Sequence, residues 1–249
     1  MELAFKDAKF FKQCVDAIAN LVDEGSFEVS STGIHLRSLD PSQISMVDFS
    51  LPKGAAFSSF DVEGVRNVAL NLVELSKVLG RTRANEKLSI KLDDDERNKL
   101  LLEFTADSKR SFRLPLLDLR EATAPREPKT VFDAQVRLRA GAFKEMLKDA
   151  SLVSSHLTLE AGDSSFTVEA HGDSGDLRIE NDKSKEVEVK ATAPAKAMYP
   201  AEYLDKMSKS ASENEVLQLE FKAANPVKMT YKIGEAQLTY FLAPRVETA

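Results

Sequence analysis

The sequence predicts an α+β protein, mostly strand, made of two similar β-rich domains, each with two helices packed on antiparallel sheets. Three observations carry this. Apolar and polar residues alternate with period two along most of the chain, helical spacing is confined to four stretches, and the chain matches itself when slid by about 130 residues.

The alternation is plain in GIHLRSLD (33–40), KLSIKL (87–92), KEVEVKAT (185–192), LQLEFKA (217–223) and VKMTYKI (227–233). Runs of this kind read as antiparallel strands with one buried and one wet face. About eighteen stretches satisfy the rule. Turn signals separate them at Asp40-Pro41-Ser42, Pro52-Lys53-Gly54, Asp93-Asp94-Asp95, Gly162-Asp163 and Asn225-Pro226.

Helices are predicted over Ala8 to Val22, Leu72 to Leu79, Ala142 to Leu152 and Ala201 to Ser208. Their apolar faces are Phe11, Cys14, Val15, Ile18, Leu21 and Val22; then Leu72, Leu75 and Leu79; then Phe143, Met146, Leu147 and Ala150; then Tyr203, Leu204 and Met207. The order is helix, strands, helix, strands, and then the same again.

The self-match makes that order a duplication. LSKVLGRTRANEKLSIKL (75–92) lies over LDKMSKSASENEVLQLEF (204–221) at a shift of about 129, and Phe11-Lys12 meets Phe143-Lys144 near 132. Both halves close alike, on RSFRLPLLD (110–118) and LTYFLAPRV (238–246). DLREATAPREPKT between them, with two prolines and few apolar residues, suits an extended connector. The expected division is domain 1–117, connector 118–130 and domain 131–249.

With 249 residues, 43% apolar and 30% charged, the chain can bury a sizeable core in each half. No apolar run is long enough for a membrane span, and MELAFKDAKFFK lacks the layout of a signal peptide, so a cytoplasmic protein is expected. A single cysteine, Cys14, allows no intramolecular disulfide and reads as a small buried hydrophobe.

Catalytic signatures are missing. His35, His156 and His171 have no metal-ligand spacing, and there is no phosphate loop, dinucleotide glycine run or nucleophile elbow. Asp93-Asp94-Asp95-Glu96 lacks the spacing of a calcium loop and reads as a hairpin tip. No enzyme, no cofactor and no metal are expected. The net charge of −6 speaks against nucleic acid as a sum, but a phosphate sees only the nearest face. Each helix carries basic residues beside its apolar stripe: Lys9 and Lys12; Lys77 with Arg81 and Arg83; Lys144 and Lys148; Lys206 and Lys209. Read singly, these are ordinary solvated faces. Gathered on one side of the sheets, they form a basic stripe on an acidic protein.

SSTGIHLRSLDPSQISMVDFSLP (30–52) and LAPRVE (242–247), with the LSKVLGRTRANEKLSI stretch and the proline-containing connector, resemble the proliferating cell nuclear antigen (PCNA) family of DNA sliding clamps, archaeal branch. The resemblance spans essentially the whole chain. It implies the DNA clamp fold, with three chains closing head to tail into a trimeric ring around duplex DNA and no catalysis. It implies a DNA polymerase processivity factor that tethers replication and repair enzymes, held at the nucleoid. Partners implied are the replicative DNA polymerase, flap endonuclease, DNA ligase and clamp loader, reached through short hydrophobic-aromatic motifs.

Carried over residue by residue, the resemblance puts Lys12, Lys77, Arg81, Lys144, Lys148, Lys206 and Lys209 toward DNA. Gln13, Ala19 and Gly80 stand where relatives often carry basic residues. It puts Leu39, Ile44, Met46, Pro125, Pro226, Phe241, Ala243 and Pro244 in a pocket for partner peptides. Alternation equally allows Phe241 and Leu242 to finish the second core. SFRLP, with Phe112 and Leu114, is expected to meet DLRIE of a neighbouring subunit, with Leu177 and Ile179; coverage of either strand within its own chain is the alternative. Two other functions stay open: one subunit of a heterotrimeric clamp, and a β-rich interaction scaffold that does not encircle DNA.

Overall fold

The computed structural model describes residues 1–92, 98–118, 125–173 and 175–245. The Asp93-Asp94-Asp95-Glu96 hairpin tip, the Ala122–Ala124 part of the connector, and Val246 and Glu247 of the closing motif lie outside the described residues. The first half runs β1 (Glu2–Phe5), α1 (Ala8–Ala19), β2 (Glu24–Ser30), β3 (Gly33–Leu39), β4 (Ser45–Pro52), β5 (Phe57–Asp61), β6 (Arg66–Asn71), α2 (Leu72–Leu79), β7 (Lys87–Leu92), β8 (Lys99–Thr105) and β9 (Lys109–Pro115). The second runs β10 (Ala134–Arg139), α3 (Ala140–Ser151), β11 (His156–Ala161), β12 (Ser165–Gly172), β13 (Gly175–Asp182), β14 (Val187–Ala191), β15 (Ala195–Pro200), α4 (Ala201–Ser208), β16 (Val216–Phe221), β17 (Val227–Ile233) and β18 (Ala236–Leu242). The two halves have the same order, element for element.

Backbone hydrogen bonds repeat with it. The Ala8 N–H donates to Glu86 O and the Ala140 N–H to Glu215 O, both at 2.8 Å. Leu72 donates to Asp23 O at 2.8 Å, and Ala201 to Ser155 O at 2.9 Å. These partners are related by the same two offsets that the sequence shows. Each bond satisfies a first-turn donor that a helix leaves without an internal acceptor.

Contacts divide the described chain into two compact units. Unit 1 holds Met1–Pro41, Val47–Pro125 and Ile233–Leu238; unit 2 holds Ser42–Met46, Arg126–Lys232 and the described residues from Thr239 on. Unit 1 contains the strand order β5-β1-β7-β8-β9 and the run β6-β2-β3-β4. α1 and α2 pack on each other and bury Phe11, Cys14, Val15, Ile18, Leu72, Leu75 and Leu79. Phe5 lies between Phe11 and Phe57, with ring centroids 4.5 Å away on either side. Each such fully buried side chain contributes about 1.5–3 kcal/mol. Burial pushes the Cys14 thiol up to about 12, which keeps it protonated and inert.

Unit 2 contains the order β14-β10-β16-β17-β18 and the sheet β13-β12-β11-β15. α3 and α4 pack together, with Phe143, Leu147, Ala150, Leu204 and Met207 buried. The buried Tyr231 hydroxyl donates to Met207 O and lies 3.1 Å from the Tyr240 hydroxyl, which ties α4 to the strands.

Two helix boundaries differ from expectation. α1 ends at Ala19, because Asn20, Leu21 and Val22 turn back onto the Asp16 and Ile18 carbonyls; Leu21 and Val22 are still buried, which extended the apolar pattern. α3 begins at Ala140 rather than Ala142, because the Glu215 and Glu213 carbonyls take the Ala140 and Gly141 donors. Gly33 opens β3 with φ +151°, and a Cβ there would lie 2.3 Å from Leu51 O, so only glycine fits.

Candidate functional site

The basic helix faces belong to each unit separately. In unit 1 the Lys12 ammonium pairs with Asp16 one turn on, and Asp16 also accepts from the Ser76 hydroxyl of α2 at 2.7 Å. Lys77 reaches Glu74 at 2.7 Å. Arg81 follows α2 and its side chain is exposed. In unit 2, Lys148 reaches Glu145 at 2.6 Å and Lys206 reaches Glu202 at 2.6 Å. The Glu145 hydrogen bond holds the Lys148 ammonium above its ordinary pKa.

Lys144 behaves differently. Its ammonium donates to Lys209 O at 3.0 Å and to Ala211 O at 2.5 Å, behind the end of α4. Burial there lowers its pKa. Of the seven basic residues named from the resemblance, Lys144 is thus occupied with backbone, while Arg81 and Lys209 make no ion pair among the described residues.

Around the end of the chain, unit 2 brings several expected pocket residues together. The Ala243 N–H donates to Ile44 O at 2.8 Å, and the Arg245 N–H to Met198 O at 2.8 Å. Ile44 is 37% exposed, whereas Met46 and Phe241 are each 3% exposed and Leu242 is fully buried. Ala243, Pro244 and Pro226 are half-buried. The Lys228 ammonium sits over the Phe241 ring, 5.7 Å from its centroid, and lies 3.7 Å from Glu127. Ile44 therefore presents an apolar surface to solvent, whereas Phe241 is buried under the Lys228 ammonium. In unit 1, Leu39 is 39% exposed and Pro125 half-buried.

Sequence reasoning missed Lys228, Glu127, His156 and Arg245 here. The Arg245 guanidinium approaches the His156 ring to 3.0 Å. Burial first, and then that guanidinium, lower the His156 pKa. Lys228 carried no signal, being one polar residue among many in an alternating strand. Arg245 sat in the quoted closing motif, but its partner is 89 residues away.

Two of the six strands that end the sheets are the expected contact strands. β9 is the last strand of β5-β1-β7-β8-β9, and β13 ends β13-β12-β11-β15. On β9, Phe112 and Leu114 stand opposite Leu102 and Leu100 and are half-buried; Lys109, Ser111 and Arg113 face out. On β13, Leu177 and Ile179 stand opposite Ala170 and Val168; Asp176, Arg178, Glu180 and Asp182 face out. Each edge thus shows half-covered apolar side chains on one side and charge on the other, mostly positive on β9 and mostly negative on β13.

Among the described residues no group of three or more His, Cys, Asp and Glu side chains could hold a metal ion. His35 lies 3.1 Å from Asp48, and His171 lies 2.7 Å from Asp176. No described helix is long and apolar enough to cross a membrane.

Comparison with known proteins decides the family. The proliferating cell nuclear antigen N-terminal domain matches residues 1–122, and the C-terminal domain of the same family matches residues 127–246. The chain belongs to the proliferating cell nuclear antigen family. Among PCNA relatives, the DNA polymerase sliding clamp of Methanococcus vannielii is 34% identical, covering 97% of this chain and 98% of that protein. DNA polymerase sliding clamp 1 of Thermococcus kodakarensis is 34% identical over 99% of this chain and 98% of its own. The crystal structure of PCNA from Thermococcus kodakaraensis superposes with a TM-score of 0.91 at 26% identity, covering 98% of this chain and 99% of that one. An A. fulgidus PCNA bound to the C-terminal region of FEN-1 shares the fold, with a TM-score of 0.89 at 22% identity and covering 100% of this chain and 99% of that one.

Proposed function

We propose that this PCNA chain is a subunit of a DNA polymerase sliding clamp: a ring, most simply of three identical copies, that encircles duplex DNA and tethers replication and repair enzymes. The observation that carries this reading is similarity along the whole chain, in both halves, to proteins named as DNA polymerase sliding clamps. Such a ring takes no part in bond making or breaking and works by topology.

The residues supply the physics for each part. The open edges of β9 and β13 differ in shape and charge, so they suit a head-to-tail contact, which must close on itself to avoid a filament. Pairing them covers strand edges that otherwise invite aggregation. Phe112, Leu114, Leu177 and Ile179 would supply its apolar side. Lys12, Lys77, Arg81, Lys148, Lys206 and Lys209 would face phosphates through flexible ammonium or guanidinium groups, which attract any sequence alike. Lys144 would act there indirectly, by holding the end of α4. Ile44, Met46, Pro226, Phe241, Ala243 and Pro244 would receive the paired aromatics of a partner peptide as a small buried anchor. Leu39 and Pro125 keep the pocket role that the resemblance implies for them. Bound DNA would place the protein at the nucleoid.

Topology gives the test. Loaded onto a closed circular duplex, the protein should stay bound through a high-salt wash and be released when the circle is cut once. Release from the uncut circle in the same wash would sink the ring reading and favour a scaffold that does not encircle DNA. A single-chain preparation that forms rings only with sibling chains would instead point to a heterotrimer.

A further inference from the structure

The lysines on the four helices are matched in number by carboxylates on the same helices, and four of them, Lys12, Lys77, Lys148 and Lys206, pair with one. The helices read AKFFKQCVDAIA, LVELSKVL, AGAFKEMLKDAS and AEYLDKMS, six lysines against six acidic residues, so the helical surface is neutral as a set. The pairing is also local. Lys77 is held by Glu74 at 2.7 Å, Lys148 by Glu145 at 2.6 Å and Lys206 by Glu202 at 2.6 Å.

A surface built only to hold phosphate would leave those ammonium groups unpaired. Fold stability does not account for the pairs either, since exposed ion pairs of this kind contribute little. Glu74 and Glu202 lie in first turns, where a carboxylate also favours the helix dipole. Glu145 lies in mid-helix and has no such role.

Resting on the clamp reading above, we propose that Glu74, Glu145 and Glu202 are working parts of the DNA-facing surface, which weaken the ring's grip so that it slides. An ammonium with a carboxylate about 3 Å away acts on a phosphate as a dipole, whose field fades faster than that of a lone charge. A phosphate gains that ammonium only by displacing the carboxylate, and the carboxylate reclaims it when the phosphate moves on. None of Lys77, Lys148 and Lys206 then fixes the duplex at one register, and fewer condensed counterions are released. The salt dependence of the hold stays shallow, because its slope scales with the number of phosphates neutralised.

The test compares rings loaded on a closed circular duplex that is then cut once, reading the time each takes to leave the ends across a salt series. The variants are E74Q/E145Q/E202Q, E145Q alone, and a control with the same charge change at exposed residues outside the helices, E28Q/D61N/E63Q. The helix triple variant should leave at least about threefold more slowly than wild type at low salt, with a steeper salt dependence. The difference should vanish near 1 M salt, where the Debye length is about 3 Å. E145Q should shift the same way by less, and carries the test alone if the triple variant fails to form rings. The control should match wild type. Equal release times for wild type and helix variants at low salt would overturn the proposal, as would equal slowing by the control. Loss of wild type from uncut circles would overturn the clamp reading itself, and this inference with it.

Discussion

Phe241 and Ile44 separate two roles that the closing motif leaves entangled. Phe241 is 3% exposed beneath Lys228, so Phe241→Ala opens a cavity and should cost about 3–5 kcal/mol of folding stability. Ile44 is 37% exposed, so Ile44→Ala should change stability by no more than about 0.5 kcal/mol. Its effect should appear in partner binding, where a peptide ending in paired aromatics should lose about 1–3 kcal/mol. Thermal unfolding and peptide titration of both variants check this. An Ile44→Ala protein that binds the peptide as wild type does would remove Ile44 from the pocket. Alternation in LTYFLAPRV left Phe241 free to be either core or pocket, because period two assigns a face but not what lies over it. The residues that settle its environment, Lys228 and Glu127, come from other segments and leave no mark in the motif.

Among elements, β9 shows how a free edge is kept in place. Arg110 on this strand donates to both carboxylate oxygens of buried Glu86 at 2.7 Å and to Arg81 O at 3.1 Å, and it lies over the Phe104 ring. Glu86 also accepts from the Arg83 N–H at 2.7 Å, and its own carbonyl receives the first turn of α1. The corresponding pair in the second half is Glu215 and Thr239, with no arginine. Burial by itself raises the Glu86 pKa, but the Arg83 amide and the Arg110 guanidinium outweigh it and hold the carboxyl below the ordinary 4.5. A depressed carboxylate adds stability above the unfolded-state pKa and loses it as pH falls through the folded one. Arg110→Ala leaves a buried carboxylate unpaired and should cost about 3 kcal/mol at pH 7. The gap to wild type should narrow below about pH 4.5, as Glu86 is protonated. Urea unfolding from pH 3 to pH 7 measures it, and a gap independent of pH would exclude Glu86 as the cause. The elements themselves were legible: four helices and alternating strands follow from periodicities of 3.6 and 2, and the duplication from two matching phrases. Only helix ends slipped, at Ala19 and Ala140, where carbonyls decide what apolar pattern does not.

For the whole molecule, the proposed ring rests on the two unlike edges of β9 and β13. Ile179 lies half-buried on β13 opposite Val168, on the side where Leu177 also lies, and among the described residues no strand flanks β13 beyond it in its sheet. An aspartate there adds charge to an edge already bearing Asp176, Glu180 and Asp182, and sets a carboxylate where Phe112 and Leu114 of the next copy would come. If the proposed ring closes this way, Ile179→Asp should give single folded chains by light scattering at concentrations where the wild type assembles, with its circular dichroism unchanged. Such chains should no longer be held on closed circular DNA, yet should still bind a partner peptide, because Ile44 and Phe241 are untouched. Raising salt should weaken the wild-type assembly as well if it forms this way, since Lys109 and Arg113 on β9 would then meet net negative charge on β13. Trimers that survive Ile179→Asp would place the subunit contact on other edges, and retention of the variant on circles would show that closure does not pass through β13 at all.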